Sequence, residues 1–212
     1  MVDRRRGQEQ KMGWPACCCF CWCTIMVCAV IYVPIFLFVP YTSVSVTVDD
    51  ASLDRLSLAA PGNGTAFLSY NLSLTVAVRN DNVAIRAWRT APLDAELRFR
   101  GRPFAAVRLA GAGDGERGRR IRALTTKVYR VAAAAERAPV ELGSDRVAEF
   151  ARERVAGEFQ LGLIVAGQFK YQAHRGRHSI KVSCPLKLSL STSTAPAAFA
   201  RVKCTEACED DG

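Results

Sequence analysis

The sequence predicts a mainly β chain: an N-terminal transmembrane helix followed by an antiparallel two-sheet β-sandwich with one short helix. Two observations carry this expectation. Ala16 to Val39 contains no charged side chain, and from Val44 onward apolar and polar residues alternate with period two, the mark of half-buried strands. A third observation supplies the helix: from Ser144 the apolar residues fall at helical spacing instead.

Residues 1–15 read as a basic tail, with Arg4, Arg5, Arg6 and Lys11 against Asp3 and Glu9. The charge-free stretch 16–39 would reach roughly 36 Å as a helix at ~1.5 Å per residue, against a hydrocarbon thickness of ~30 Å. A cleaved signal peptide has an apolar region of about 7–15 residues and an Ala-x-Ala-like site. Here Val39 runs into Pro40-Tyr41-Thr42-Ser43, so an uncleaved signal anchor is expected. Basic residues beside a span stay in the cytoplasm, which puts the N-terminus there and everything after Pro40 in the lumen or outside the cell.

Residues 40–190 read as the sandwich. Expected strands are Val44–Val48, Leu53–Leu58, a run through Tyr70, Leu72, Leu74, Val76 and Val78, another through Leu93, Ala95, Leu97 and Phe99, then Phe104–Leu109 and Ile121–Val131. The longest alternation, Phe159 to Tyr171, turns at Arg175-Gly176-Arg177 and returns as Ser179–Leu190, a terminal hairpin with a basic tip. Pro61-Gly62-Asn63-Gly64, Arg100-Gly101-Arg102-Pro103 and Gly111–Gly118 supply turns. Between strands, Val147, Phe150, Ala151 and Arg154 share a helical face, with Ser144 as its N-cap. Six to eight strands and one helix give a sandwich of fibronectin-like proportions. From Ser191 the periodicity is lost, and 191–212 is expected to be a flexible tail.

The nine cysteines fall into two populations. Cys17, Cys18, Cys19, Cys21 and Cys23 crowd the cytoplasmic edge of the span, with Cys28 inside it. They can accept palmitate or serve as small apolar side chains, and a metal site drawn through Cys18 and Cys21 would lack the supporting ligands such a site needs. Cys184, Cys204 and Cys208 lie beyond the span, in a compartment that permits disulfides. Cys184 has the apolar parity of its strand and reads as a buried core thiol. Cys204 and Cys208 can pair with each other or with another chain.

A formal net charge of +9 favours acidic surfaces such as anionic lipid head groups or polyanionic carbohydrate, and a protein partner is expected as the alternative. Lys170, Arg175, Arg177 and Lys181 at the hairpin are the candidates for such contact. Nucleic acid is disfavoured by the expected topology and by the lack of any zinc-finger or RNA-recognition signature. Asn63-Gly64-Thr65 and Asn71-Leu72-Ser73 are N-glycosylation sequons. The histidines, His174 and His178, flank the tip without a carboxylate or thiolate to complete a metal site. No nucleophile elbow, phosphate-binding loop or HExxH motif is present, so neither catalysis nor a cofactor is expected. Trp88, Phe99 and Phe169 read as packing residues.

Several of these segments together resemble a plant family, the NHL proteins, which are harpin-induced-like and related to a non-race-specific disease-resistance protein. Val78-Arg79-Asn80-Asp81-Asn82 resembles the family's R-N-P-N, with Asp81 in place of Pro. Ile85-Arg86-Ala87-Trp88 resembles its I-x-I-Y, and Val182-Ser183-Cys184-Pro185-Leu186 its last hairpin. Arg89-Thr90 stand where a Tyr-Asp pair is common. The resemblance implies a late embryogenesis abundant group 2 sandwich held at the plasma membrane, non-catalytic, and responsive to pathogens or stress. It also implies an alternative: a module binding lipid or an apolar small molecule between its sheets.

Overall fold

The computed structural model describes residues 14–38, 42–59, 65–111, 113–172, 174–191 and 199–207, and the chain divides into two compact units, Met1–Pro40 and Tyr41–Gly212. The first unit contains α1 (Trp14–Phe38), 25 residues with no acidic residue in its first turn and no basic one in its last. Its side chains are described over 21–33, where Trp22, Ile25, Val27, Val30, Ile31 and Val33 are all exposed. Among the described residues no helix is long and apolar enough to cross a membrane. The expected membrane span is thus without support among the described residues.

The second unit is mainly β, two antiparallel sheets with few helices. Its elements are β1 (Ser45–Ala59), β2 (Thr65–Arg79), β3 (Ala87–Arg89), β4 (Leu93–Phe99), β5 (Arg102–Ala110), the single turn α2 (Glu116–Arg119), β6 (Arg120–Ile121), β7 (Thr126–Glu141), α3 (Ser144–Ala156), β8 (Glu158–Tyr171), β9 (Arg177–Ser189), β10 (Val202–Lys203) and β11 (Thr205–Glu206). One sheet runs β10-β1-β2-β7. The other runs β11-β9-β8-β3-β6, with β4 pairing β8 beyond the end of β3 and β5 pairing β4. The core lies between them: Val46, Val48, Leu53, Leu72, Leu74 and Val76 from the first sheet meet Leu97, Phe99, Phe159, Leu163, Val165 and Phe169 from the second.

The expected break between Val48 and Leu53 is a pair of bulges, not a loop. Register shifts fall at Val48/Asp50 and Leu53/Arg55, and each switches which parity faces inward: Val46 and Val48, then Ala51 and Leu53, then Leu56. One strand with two bulges therefore reads in sequence as two strands. The expected strand Ile121–Val131 divides between the sheets: Ile121 ends β6, while β7 starts at Thr126 and continues past Val131 through Ala132–Ala135 to Glu141, because pairing with β2 overrides the helical preference of an alanine run. As the sheet's edge strand it accommodates Pro139.

The helix forms where expected, but its N-cap is Gly143. The Gly143 carbonyl accepts from the Arg146 and Val147 amides at 3.0 and 3.2 Å, whereas the Ser144 hydroxyl reaches only Asp145. Gly157, with φ of +73°, ends the helix in the left-handed conformation that glycine adopts without a Cβ penalty. The docked face is Phe150 and Glu153; Ala151 and Arg154 point to solvent. Phe150 sits edge-on to Phe99 at 5.5 Å and beside Phe159. Glu153 ties the helix to the sheet by accepting from Arg100 at 2.5 Å and from the Gln160 amide at 3.1 Å.

The chain after Leu190 departs most from expectation. Residues 199–207 are ordered, with β10 pairing β1 and β11 pairing β9, one strand on each sheet. Between them Cys204 is bonded to Cys184, which is therefore a buried disulfide cysteine and not a core thiol. Of the two alternatives left open for Cys204, Cys208 or another chain, neither is the partner found here; Cys208 lies outside the described residues. The segment bridges the two sheets on this side, pairing with Thr47 and Val48 of β1 and with Val182 and Ser183 of β9 and so covering part of each edge. A disulfide spanning 20 residues restricts the unfolded chain by about 3 kcal/mol. Cys204→Ala is expected to lower unfolding free energy by about that amount, and hydrogen exchange should rise at 199–207 and along β1 while the β2–β7 pairing stays protected.

Candidate functional site

The loops at one end of the sandwich converge around a buried polar side chain. Asn80 ends β2 fully buried, and its amide nitrogen donates to the carbonyls of Ile85 at 2.8 Å, Arg122 at 3.2 Å and Ile121 at 3.3 Å. Its oxygen accepts from the Asn82 amide at 3.2 Å and the Asn82 side chain at 2.8 Å. Asn82 in turn brackets Thr42, accepting from its amide at 2.9 Å and donating to its carbonyl at 2.8 Å. Two residues on, the Val44 amide donates to the Tyr171 hydroxyl at 3.0 Å. Chain entry, the β2–β3 loop, the β6–β7 loop and the base of the β8–β9 hairpin are thereby fixed together.

On the outer face of the second sheet, register builds a row across four strands. Arg177 lies opposite Lys170, Lys170 opposite Trp88, and Trp88 opposite Arg120. Their neighbours Phe169, Tyr171, Ala87 and Ile121 are buried, so these four face outward. At ~4.8 Å per strand the row spans about 14 Å. Two residues further along β3 and β6, Arg86 and Arg122 extend it, and with Arg120 they line a cleft of about 440 Å³ that also touches Val83, Ala84 and Ala123. Positive potential is felt nearby: desolvation first, then the charge of Arg89 and, more weakly, that of Arg120 push the Lys127 ammonium below its usual value. A second cleft, about 600 Å³, opens between β1 and β9 and carries both signs of charge, with Asp81 and Glu206 beside Lys181 and Lys203.

The structure brings Lys170 and Arg177 together as expected, with Arg175 exposed in the turn between the strands. Lys181 is separate, opposite Ala166 on the wall of the mixed-charge cleft. Arg86, Arg120 and Arg122 escape a reading of the sequence because they come from short segments placed by β3–β8 pairing; the only local hint is the density of arginine around 117–122. Trp88 faces outward in the row, half-buried, while Phe99 and Phe169 are core residues. Asn71 is exposed on β2, its amide donating to Asp54 at 3.3 Å. Asn63 lies outside the described residues, as do the side chains of Cys17, Cys18 and Cys19; Cys21, Cys23 and Cys28 are exposed along α1. Among the described residues no group of three or more metal-ligating side chains is gathered.

No protein-family model matches the chain, and no curated protein matches it. Among solved structures, an Arabidopsis thaliana protein determined in solution shares 16% identity over 72% of this chain and 84% of its own, with a TM-score of 0.38. A protein from Archaeoglobus fulgidus shares 7% identity over 68% of this chain and 98% of its own, with a TM-score of 0.32. Likenesses this distant carry no argument about family or function.

Asn80→Leu strands three carbonyls and the Asn82 side chain, and is expected to cost about 3 kcal/mol in denaturant unfolding, with exchange rising at 82–86 and 121–125. Asp81 provides a pH test. A hydrogen bond from Ser45 holds its carboxyl below the ordinary value of 3.8 against a partial desolvation, with Arg79 assisting. A carboxylate depressed in the folded state contributes stability that is complete above its unfolded value and lost as pH falls through the folded one. Asp81→Asn should therefore shrink the drop in Tm between pH 5 and pH 3 while leaving the rest of the profile in place.

Proposed function

We propose that the chain is a single-pass, membrane-anchored, non-catalytic interaction protein that presents its β-sandwich on the extracytoplasmic side of the plasma membrane. The observation that carries this reading is α1: over 21–33 its side chains are apolar but for Thr24 and exposed but for the half-buried Ala29, the composition of a helix that needs either a protein core or a bilayer around it. The uncharged run 16–39 has the length for a bilayer, and the basic residues before it set the orientation. The Cys184–Cys204 disulfide supports the same side, because structural disulfides persist in oxidising compartments.

The role in defence or abiotic-stress response rests on the resemblance of Arg79-Asn80-Asp81-Asn82 and the terminal hairpin to NHL proteins, and its partner is a protein or an anionic surface. Storage of an apolar ligand between the sheets is less favoured, since Leu53, Leu72, Leu97, Phe159 and Leu163 fill that space at under 2% exposure. Protease digestion of sealed microsomes carrying a C-terminally tagged chain tests the topology. The tagged domain is expected to survive until detergent is added and to lose mass on endoglycosidase treatment, with Asn71→Gln reducing the shift. Digestion in intact microsomes with no glycan would place the domain in the cytosol and end this reading.

A further inference from the structure

The end of the sandwich built around Asn80 combines exposed apolar tips with a collar of arginines. Val83, in the β2–β3 loop, is 79% exposed, and Leu124, in the β6–β7 loop, is 51% exposed. The two tips adjoin, because the Leu124 amide donates to the Asn82 carbonyl at 3.2 Å. Leu124 holds this position with φ of +54°, a left-handed conformation unfavourable for a branched side chain that makes no compensating burial. A strained, exposed leucine beside an exposed valine does nothing for the fold, where the Asn80 network already satisfies the loops. Around the tips stand Arg86, Arg120 and Arg122, and among the described residues none of the three has a carboxylate partner.

Thr42, held by Asn82 at this same end, is four residues beyond Phe38, the last residue of α1. Four residues of chain reach no further than about 14 Å. Any bilayer that takes up α1 therefore lies within short reach of this end, whatever the orientation of the domain upon it.

We propose that this end is a phospholipid-docking surface: Val83 and Leu124 enter the interfacial layer, and Arg86, Arg120 and Arg122 take lipid phosphates in the cleft they line. Arginine suits this role because its planar fork donates two parallel hydrogen bonds to a phosphate, and apolar tips ringed by cations match the order in which a bilayer surface presents phosphate and then hydrocarbon. The half-buried Trp88 beside Arg120 adds an amphipathic ring of the kind that settles at that depth. Docking would hold the sandwich against its own membrane, leaving the far end and the β7 edge for other partners. This inference rests on the anchored reading of α1.

The test is hydrogen exchange on the full-length chain reconstituted into nanodiscs of two compositions, one phosphatidylcholine with one-third phosphatidylglycerol, the other the phosphate-free glycolipid digalactosyldiacylglycerol. Residues 83–86 and 122–125 are expected to exchange about tenfold more slowly in the phospholipid discs. Arg86→Glu with Arg122→Glu should abolish the difference, and Leu124→Asn, which suits the left-handed backbone, should reduce it, with β8 and β9 unchanged in every variant as proof of folding. Equal exchange in the two lipids would overturn the proposal while leaving the anchor intact. Protection produced by added polygalacturonate in glycolipid discs, and absent in phospholipid, would assign the surface to an acidic polysaccharide instead. A chain that does not incorporate into either disc through α1 would overturn both readings.

Discussion

A single buried carboxamide organises the working end of this domain. Asn80 offers donors to three carbonyls, those of Ile85, Ile121 and Arg122, and an acceptor to a fourth partner, Asn82, which in turn grips the entering chain at Thr42. No other side chain type of this size supplies both functions: Asp has no donors, and Leu leaves every partner without a bond in a place water does not reach. The outward row from Arg177 to Arg120, the arginine cleft and the apolar tips all sit on segments whose paths this network sets. The buried polar group is thus the reason that irregular loops here have one conformation, since their hydrogen bonds go to a fixed point instead of to solvent.

Charge elsewhere in the domain divides by burial. Arg79–Asp81, Arg98–Glu96 and Arg108–Asp94 are pairs with both partners well exposed, and such pairs add little to stability. Glu153 is different: at 9% side-chain exposure it needs both Arg100 and the Gln160 amide to offset its desolvation, and in meeting that need it fixes α3 on the sheet. Arg89 plays the matching part on the other side, nearly fully buried and directed onto the Ala91 and Ala110 carbonyls and Asp114.

Alternation made most of the architecture legible, because a strand with one face in the core has to alternate. The long β8–β9 hairpin, β4 and the inner half of β2 could be read directly for that reason. Legibility failed where tertiary pairing overrode local pattern: at the β1 bulges, along the alanines of β7, and in β10 and β11, too short to show any period. Phe199, the one aromatic residue after Leu190, was the available sign that the tail returns to the core. The cationic end was half legible. Lys170 and Arg177 are close in sequence and announce themselves, whereas Arg86 and Arg120 meet them only through a four-strand register that no local window contains.

The segment from Val202 to Glu206 comes after every strand it joins, and that order has a biosynthetic consequence. Until that segment joins them, Thr47 and Val48 of β1 and Val182 and Ser183 of β9 lack these partners, and Cys184 lacks its bond. Fastening then awaits thiol oxidation, so the last step in closing the domain is a redox step. A molecule that lacks the bond keeps a reactive cysteine at 184 and loses the tie that holds the last segment to both sheets.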